Sequence, residues 1–174
     1  VEPMAGNEKA VGFDLGSNAT RLAALIEARR SGSLVASARI TLIQETGEQY
    51  GFLIFIPIYN GGETTTDASI RNDHLKGFGL GVYRMGDLVE SASNKVRSDS
   101  SGSDLYFFDK TAVPGQQLLF PKGANFEGDE DIPSDLRFVT DLNFFGREWR
   151  IVSVPSAGSV FSKAPMPPWL VLFL

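Results

Sequence analysis

Residues that could carry out catalysis or bind a metal are sparse in this chain. The one histidine, His74, lies in a polar stretch beside Asp73, and a single histidine cannot form a histidine-rich metal site. The chain has no cysteine, which excludes disulfides, thiolate nucleophiles and cysteine-bound zinc. No serine stands in a G-x-S-x-G elbow, and there is no phosphate-binding P-loop. We therefore predict a protein that is not an enzyme and that uses no metal and no cofactor.

Two other motifs allow both a chemical and a structural interpretation. Residues 127–135, EGDEDIPSD, are dense in carboxylates that could bind calcium, but the spacing of an EF-hand is absent. A solvated acidic loop is the favoured interpretation. Residues 77–81, GFGLG, have the spacing G-x-G-x-G at the end of a predicted strand, which does not match a dinucleotide-binding turn. Alternating glycines on a strand instead allow a ligand or another backbone to approach closely.

The composition narrows the classes of protein and partner. The 174 residues suffice for one ordinary domain or two small ones, and 43% hydrophobic with 21% charged residues is typical of a globular protein. The net charge is -5, the pI is about 4.9, and the densest basic spot is Arg29 with Arg30. Because phosphate binding needs a basic stripe, we predict no nucleic-acid partner.

Hydrophobic periodicity predicts a helix and three strands, then a second helix and about four strands. The first helix spans 17–32, with Ser17 or Asn18 as its cap and Gly32 as its stop. Its apolar residues at helical spacing are Leu22, Leu25 and Ile26. The second helix spans 86–97, with Asp87 as its cap and with Leu88, Ala92 and Val96 facing inward. The predicted strands are residues 33–45, 50–59, 76–85, 105–110, 116–121, 136–145 and 147–155. This order predicts an α+β fold of two units, each built on an antiparallel sheet.

The stretch GFLIFIPIY, residues 51–59, is apolar on both faces of its predicted strand. Such a strand must be covered on both sides. Pro57 lacks a backbone N–H, so pairing there should be one-sided or broken. We predict that Phe55 and Tyr59 face a pocket, whereas Ile54 and Ile56 pack against the helix.

The two ends of the chain suggest a piece of a larger protein. The first residue is Val1 and no signal peptide precedes it. The chain ends in APMPPWLVLFL, residues 164–174, and an apolar run begins there at Trp169. A tryptophan at the start of an apolar run is typical of the beginning of a transmembrane helix. The alternative is a hydrophobic tail that packs into a core.

Three strings in this order carry a family resemblance. They are residues 24–45 (ALIEARRSGSLVASARITLIQE), 51–59 (GFLIFIPIY) and 76–90 (KGFGLGVYRMGDLVE), and residues 12–21 (GFDLGSNATR) fit the approach to the first helix. Together they resemble the CHASE domain, the extracytoplasmic sensory module of membrane receptors that include plant cytokinin receptors, bacterial histidine kinases and diguanylate cyclases.

The resemblance implies a domain organisation. It implies a membrane-distal, PAS-like, ligand-binding subdomain over 1–84 and a membrane-proximal PAS-like subdomain over 85–164, with residues 165–174 starting a transmembrane segment. The long N-terminal helix of the family is absent from this chain. Because that helix is usually the dimerisation element, the resemblance implies a homodimer formed through it.

The resemblance also implies a ligand site on the central strands. The candidate ligand-binding residues are Ser37, Arg39, Phe55, Tyr59, Phe78 and Leu80. Ser37 aligns with a small hydroxyl residue that faces the hormone in plant receptors, and Arg39 would favour an anionic ligand if it pointed inward. The large Phe55 indicates a pocket smaller than one for a purine, so cytokinin is not predicted as the ligand.

The leading interpretation is therefore a sensory input domain that binds a small molecule at the periplasmic or extracellular face of the membrane. It would signal to a cytoplasmic kinase or diguanylate cyclase outside this chain. A non-signalling periplasmic binding or interaction module is the alternative, and an isolated hydrolase ranks last. The gene beyond Leu174 distinguishes the first two, because a sensor requires an output domain.

Overall fold

The structure is a computed structural model that describes residues 1–41, 49–60, 73–96, 102–126, 128–132 and 136–156. It has an α+β fold with two antiparallel sheets and two helices, in the predicted order. In chain order the elements are α1 (Ala19–Ser31), β1 (Val35–Ala36), β2 (Gly51–Tyr59), β3 (Leu75–Arg84), α2 (Met85–Val96), β4 (Ser103–Asp109), β5 (Leu118–Phe120), β6 (Phe138–Phe144) and β7 (Arg147–Pro155). The predicted tail segment 165–174 lies outside the described residues.

Helix α1 begins and ends at the predicted signals. The Asn18 side chain accepts hydrogen bonds from the backbone N–H groups of Thr20 and Arg21, and Gly32 ends the helix with a φ of 70°. The predicted apolar face is wrong for Leu22 and Ile26, which are 42% and 57% exposed, whereas Leu25 is half-buried against the core.

The buried face of α1 is made of small residues. Ala24 and Ala28 are buried against Leu53 and Phe55 of β2. Their methyl side chains let the helix lie close to the sheet, so the large residues of the strand fill the space between the two elements. The same kind of error affects α2, in which Met85 and Val89 are buried while Leu88 and Ala92 are exposed.

The first sheet has the order β1-β2-β3, and all its pairs are antiparallel. The strand predicted over 33–45 is reduced to the two residues of β1, followed by a single bridge between Ile40 and Gly51. Ser37 explains the interruption, because its Oγ takes the place of a backbone carbonyl and accepts from the Leu53 N–H at 3.0 Å. Residues 42–48 lie outside the described residues.

Pairing along β2 is one-sided at Pro57, as predicted. Strand β1 pairs only with Ile54 and Phe55, whereas β3 pairs with β2 along its whole length, including Pro57 opposite Phe78. Within the part of the chain that the structure describes, the missing proline N–H therefore falls on an unpaired edge of the sheet.

The second sheet has the order β5-β4-β7-β6, again with antiparallel pairs only. The hairpin predicted through Gly146 is confirmed, since Phe144 pairs with Arg147 and the two residues between them both have positive φ. Phe145 has a φ of 54° and Gly146 a φ of 75°. These values are typical of the two-residue turns that fit the twist of paired strands.

A shared apolar cluster joins the two sheets. It consists of Ala36, Phe52, Ile54, Met85, Val89, Leu119 and Trp149. The rings of Phe52 and Trp149 lie 5.0 Å apart, and the Ala36 N–H donates to the Phe145 carbonyl at 2.8 Å. The face of β2 that carries Ile54 therefore packs toward the second sheet.

The acidic segment predicted as a solvated loop is in part buried. Asp129 is 3% exposed and forms ion pairs with Lys110 at 2.7 Å and with Arg150 at 3.0 Å. Nearby, Asp109 is fully buried and pairs with Arg147 at 2.6 Å. These carboxylates are held by basic side chains of the second sheet, and no group of three or more acidic or histidine side chains in the described residues is arranged to hold a metal ion.

Candidate ligand-binding groove

Strand β3 forms one wall of an open groove with a volume of about 1010 Å³. Residues of the N-terminal segment 1–15 and of the first turns of α2 also line it. We call this space the β3 groove and define it by Phe13, Arg21, Leu53, Phe78, Leu80 and Val82. Its lining combines apolar side chains with a nearly equal share of polar surface.

The antiparallel register explains which side chains reach the groove. Residues directly opposite one another share a face of the sheet, and β3 pairs Leu80 with Phe55 and Val82 with Leu53. Helix α1 covers β2 on this face, but Leu80 and Val82 are 41% and 49% exposed. The groove therefore lies where the sheet extends beyond its covering helix.

The other face of the first sheet carries the three glycines of β3. Gly77, Gly79 and Gly81 lie opposite Ile58, Ile56 and Ile54. A Cβ atom at Gly79 would lie 2.7 Å from Cγ2 of Ile56, and one at Gly81 would lie 2.8 Å from Cε2 of Tyr83. At these two positions the missing side chains make room for side chains of the same sheet.

The predicted orientation of β2 is wrong in one respect. Helix α1 packs against Phe55, and Ile56 is 44% exposed. Ile54 does pack against a helix, but it is α2, through Met85 and Val89. Phe55 is fully buried and does not line the groove. Its ring contacts the ring of Phe78 in an edge-to-face arrangement, with the centroids 6.2 Å apart. The alternation of large side chains on both faces gave no signal of which face the helix covers.

Of the six predicted site residues, Phe78 and Leu80 lie together in the groove. Tyr59 is half-buried where the β2–β3 ladder becomes irregular, and its hydroxyl has no hydrogen-bond partner among the described residues. Ser37 is 1% exposed, and its hydroxyl donates to the Ala38 carbonyl at 2.8 Å while it accepts from Leu53. The role of all six in ligand binding stays a prediction.

Arg39 points away from the groove. Its guanidinium donates to the Leu118 carbonyl at 2.7 Å and the Gly115 carbonyl at 2.9 Å, and it lies 4.4 Å from the centroid of the Tyr50 ring. These contacts connect the end of β1 to the segment around β5. Arg39 thus links the two sheets instead of facing a ligand in the β3 groove.

The buried positive charge in the groove comes from Arg21, which was not among the predicted site residues. Arg21 is 7% exposed, and its guanidinium carbon lies 4.9 Å from the centroid of the Phe13 ring. The signal was present in the helical spacing, because Arg21 lies three and seven residues before Ala24 and Ala28. Once these alanines are known to face the sheet, Arg21 must share their side of the helix.

A second polar pair lies at the α2 end of the groove. Arg84 and Asp87 approach to 3.7 Å, and both side chains are well exposed to solvent. A solvated pair of this kind contributes little to stability.

Comparison with known proteins places this fold in a family. The family model described as CHASE domain matches residues 1–120, which contain the first sheet, both helices and strands β4 and β5. The chain belongs to the CHASE domain family. The matched range of this CHASE domain includes every residue that defines the β3 groove.

A similar curated protein is the hybrid signal transduction histidine kinase A of Dictyostelium discoideum. It is 22% identical over 174 aligned positions, which cover 89% of this chain and 8% of the relative. This CHASE domain therefore spans a small part of the length of the relative that it matches.

Membership of the family makes this chain a sensory input domain of a signalling protein. CHASE domains are sensory and not catalytic, and they are the extracytoplasmic sensors of receptors. Among the residues that the structure describes, no helix has the length and apolar character needed to cross a bilayer.

Proposed function

We propose that this CHASE domain binds a small molecule in the β3 groove, on the outer side of a membrane, and signals its presence to a cytoplasmic kinase or diguanylate cyclase. The observation that supports this most is an accessible space of about 1010 Å³ lined by Phe78 and Leu80 within the family-matched range. Concave sites with apolar walls and a few polar groups are typical of small-molecule binding. The histidine kinase named for the Dictyostelium relative supports a kinase output.

Signalling requires that the ligand binds one arrangement of the domain better than another. We take the two sheets as PAS-like subdomains, with the first, 1–84, distal to the membrane and the second, 85–164, proximal to it. Residues 165–174 would then begin a transmembrane helix, and the receptor would act as a homodimer. The apolar cluster around Trp149 and the contacts of Arg39 offer a physical connection through which the first sheet can bias the second.

The test compares two tryptophan substitutions on opposite faces of one sheet. Leu80→Trp would fill the β3 groove, whereas Ile58→Trp adds the same side chain to a residue of similar exposure on the other face. The purified chain is screened by thermal shift against purines, amino acids and carboxylic acids. We expect a stabilising compound whose effect is lost in Leu80→Trp and kept in Ile58→Trp. Equal effects in both variants, or no stabilising compound at all, would contradict the proposal.

A further inference from the structure

Arg21 is a buried cation without a matching anion in the part of the chain that the structure describes. None of the ion pairs formed there includes it. Among the described residues, its only hydrogen bond from the guanidinium is a long one, from Nη2 to the Thr41 carbonyl at 3.4 Å, and Nε is buried with no acceptor there. A guanidinium carries five N–H donors, and leaving a buried charge unpaired is costly.

The surroundings of Arg21 compensate for this cost only in part. The Phe13 ring offers a cation–π contact at 4.9 Å, and such contacts are weak beside a paired carboxylate. The Arg21 side chain also lines the β3 groove, so an acceptor that enters the groove can reach it.

We propose that the β3 groove takes a ligand with a carboxylate on an apolar body, and that Arg21 binds the carboxylate. This rests on the proposed function, namely that the groove is the ligand site. The planar fork of a guanidinium matches a carboxylate with two parallel hydrogen bonds. The body of the ligand would lie on Phe78, Leu80 and Val82, which form the apolar wall.

The charge of the groove favours a carboxylate over a phosphate. Glu2, Arg84 and Asp87 also line it. Because Arg84 and Asp87 lie beside each other at 3.7 Å, the carboxylate of Glu2 remains, and it repels a dianion more strongly than a monoanion. A single guanidinium satisfies one carboxylate, whereas a phosphate monoester would leave acceptor oxygens and a second charge without partners.

The experiment uses two matched pairs of probes, phenylacetate with phenylacetamide and hexanoate with hexanamide, and phenyl phosphate as a phosphate monoester. Within each pair the shape is similar and only the acid carries a charge. Calorimetric titrations at millimolar probe are run on the wild-type chain, on Arg21→Met and on Arg21→Lys. We expect the acids to bind the wild type at least about tenfold more tightly than the amides, and Arg21→Met to remove this preference. Arg21→Lys should keep part of it, because the charge remains but the fork is lost.

The stability of the ligand-free variants gives a second, independent readout. If Arg21 is unpaired without ligand, Arg21→Met removes an unpaired buried charge and should raise the urea midpoint of the ligand-free chain. A lowered midpoint would show that Arg21 is paired within the fold and would overturn the proposal. So would an unchanged preference for the acids in Arg21→Met, tighter binding of phenyl phosphate than of phenylacetate, or no binding of either acid.

These outcomes separate the ligand class from the function. If a neutral compound stabilises the chain and Leu80→Trp abolishes its effect, the groove remains the ligand site and only the carboxylate assignment fails. If no compound binds in a manner that Leu80→Trp blocks, the proposed function itself fails.

Discussion

Replacement of Arg39 by methionine should loosen the connection between the two sheets. Methionine keeps a flexible apolar stem of similar length but removes the charge and all five donors. The substitution therefore deletes the hydrogen bonds to the Leu118 and Gly115 carbonyls and the contact with the Tyr50 ring. Since these contacts join the end of β1 to the β5 segment, the loss should appear as a lower free energy of unfolding.

The expected loss is about 2.5–3.5 kcal/mol. Hydrogen bonds that involve a charged group contribute about 1.5–3 kcal/mol each, and we take at most about 1–1.5 kcal/mol for each here, because one of the two is solvent-exposed. The contact with the Tyr50 ring adds about 0.5 kcal/mol at a site of this exposure.

The assay is urea unfolding followed by tryptophan fluorescence in a Trp169→Phe background. The emission then reports Trp149, which is 3% exposed in the cluster that joins the sheets. Arg30→Met is the matched control, because Arg30 is 71% exposed and its ion pair with Glu27 should contribute less than about 1 kcal/mol. If Arg39→Met costs no more than Arg30→Met, Arg39 does not link the sheets as described.

Two further substitutions test the interior of each sheet. Ser37→Ala leaves the Leu53 N–H without its acceptor and should lower the free energy of unfolding by about 1–3 kcal/mol in urea titrations, whereas exposed Ser33→Ala should change it by less than about 0.5 kcal/mol. Equal effects would refute the role of the hydroxyl. Burial raises the pKa of Asp129, but hydrogen bonds from Lys110 and Arg150 outweigh this effect and hold the pKa below the ordinary 3.8. The free energy of unfolding should therefore decrease as the pH falls below about 4. In acid titrations this decrease should be smaller for Asp129→Asn than for the wild type, and an equal decrease in both would contradict the prediction.

The order and type of the elements could be predicted from the sequence because their signals are local. Asn18 and Gly32 mark the ends of α1 through their own hydrogen bonding and backbone conformation. Gly146 likewise marks the hairpin between β6 and β7. Such features depend on residues a few positions apart, which a single sequence displays directly.

The faces that each element buries could not be predicted in the same way. Helix α1 presents Leu22 and Ile26 to solvent and packs through Ala24 and Ala28. Small side chains are needed at the contact because the helix lies close to the large ring of Phe55. Strand β2 is apolar on both faces, so alternation alone cannot tell which face meets the helix. Both choices depend on contacts between residues distant in the chain.

The candidate site shows the same limit at the level of single charges. Arg39 was the arginine that the sequence analysis associated with an anionic ligand, yet it bonds to carbonyls near β5. Arg21 instead lines the groove, through its place on the buried side of α1. Only the choice of face separates the two interpretations, and that choice is made by tertiary packing.

Binding of a ligand on the α1 side of the first sheet can be measured directly by NMR. The two faces carry different methyl groups, with Leu80 and Val82 in the β3 groove and Ile56 and Ile58 on the opposite face. Methyl-labelled NMR spectra are recorded with the compound that stabilises the chain most. We expect shifts of the Leu80 and Val82 methyl resonances, whereas those of Ile56 and Ile58 should not move. Shifts confined to the isoleucine methyls, or no shifts in either set, would contradict this expectation.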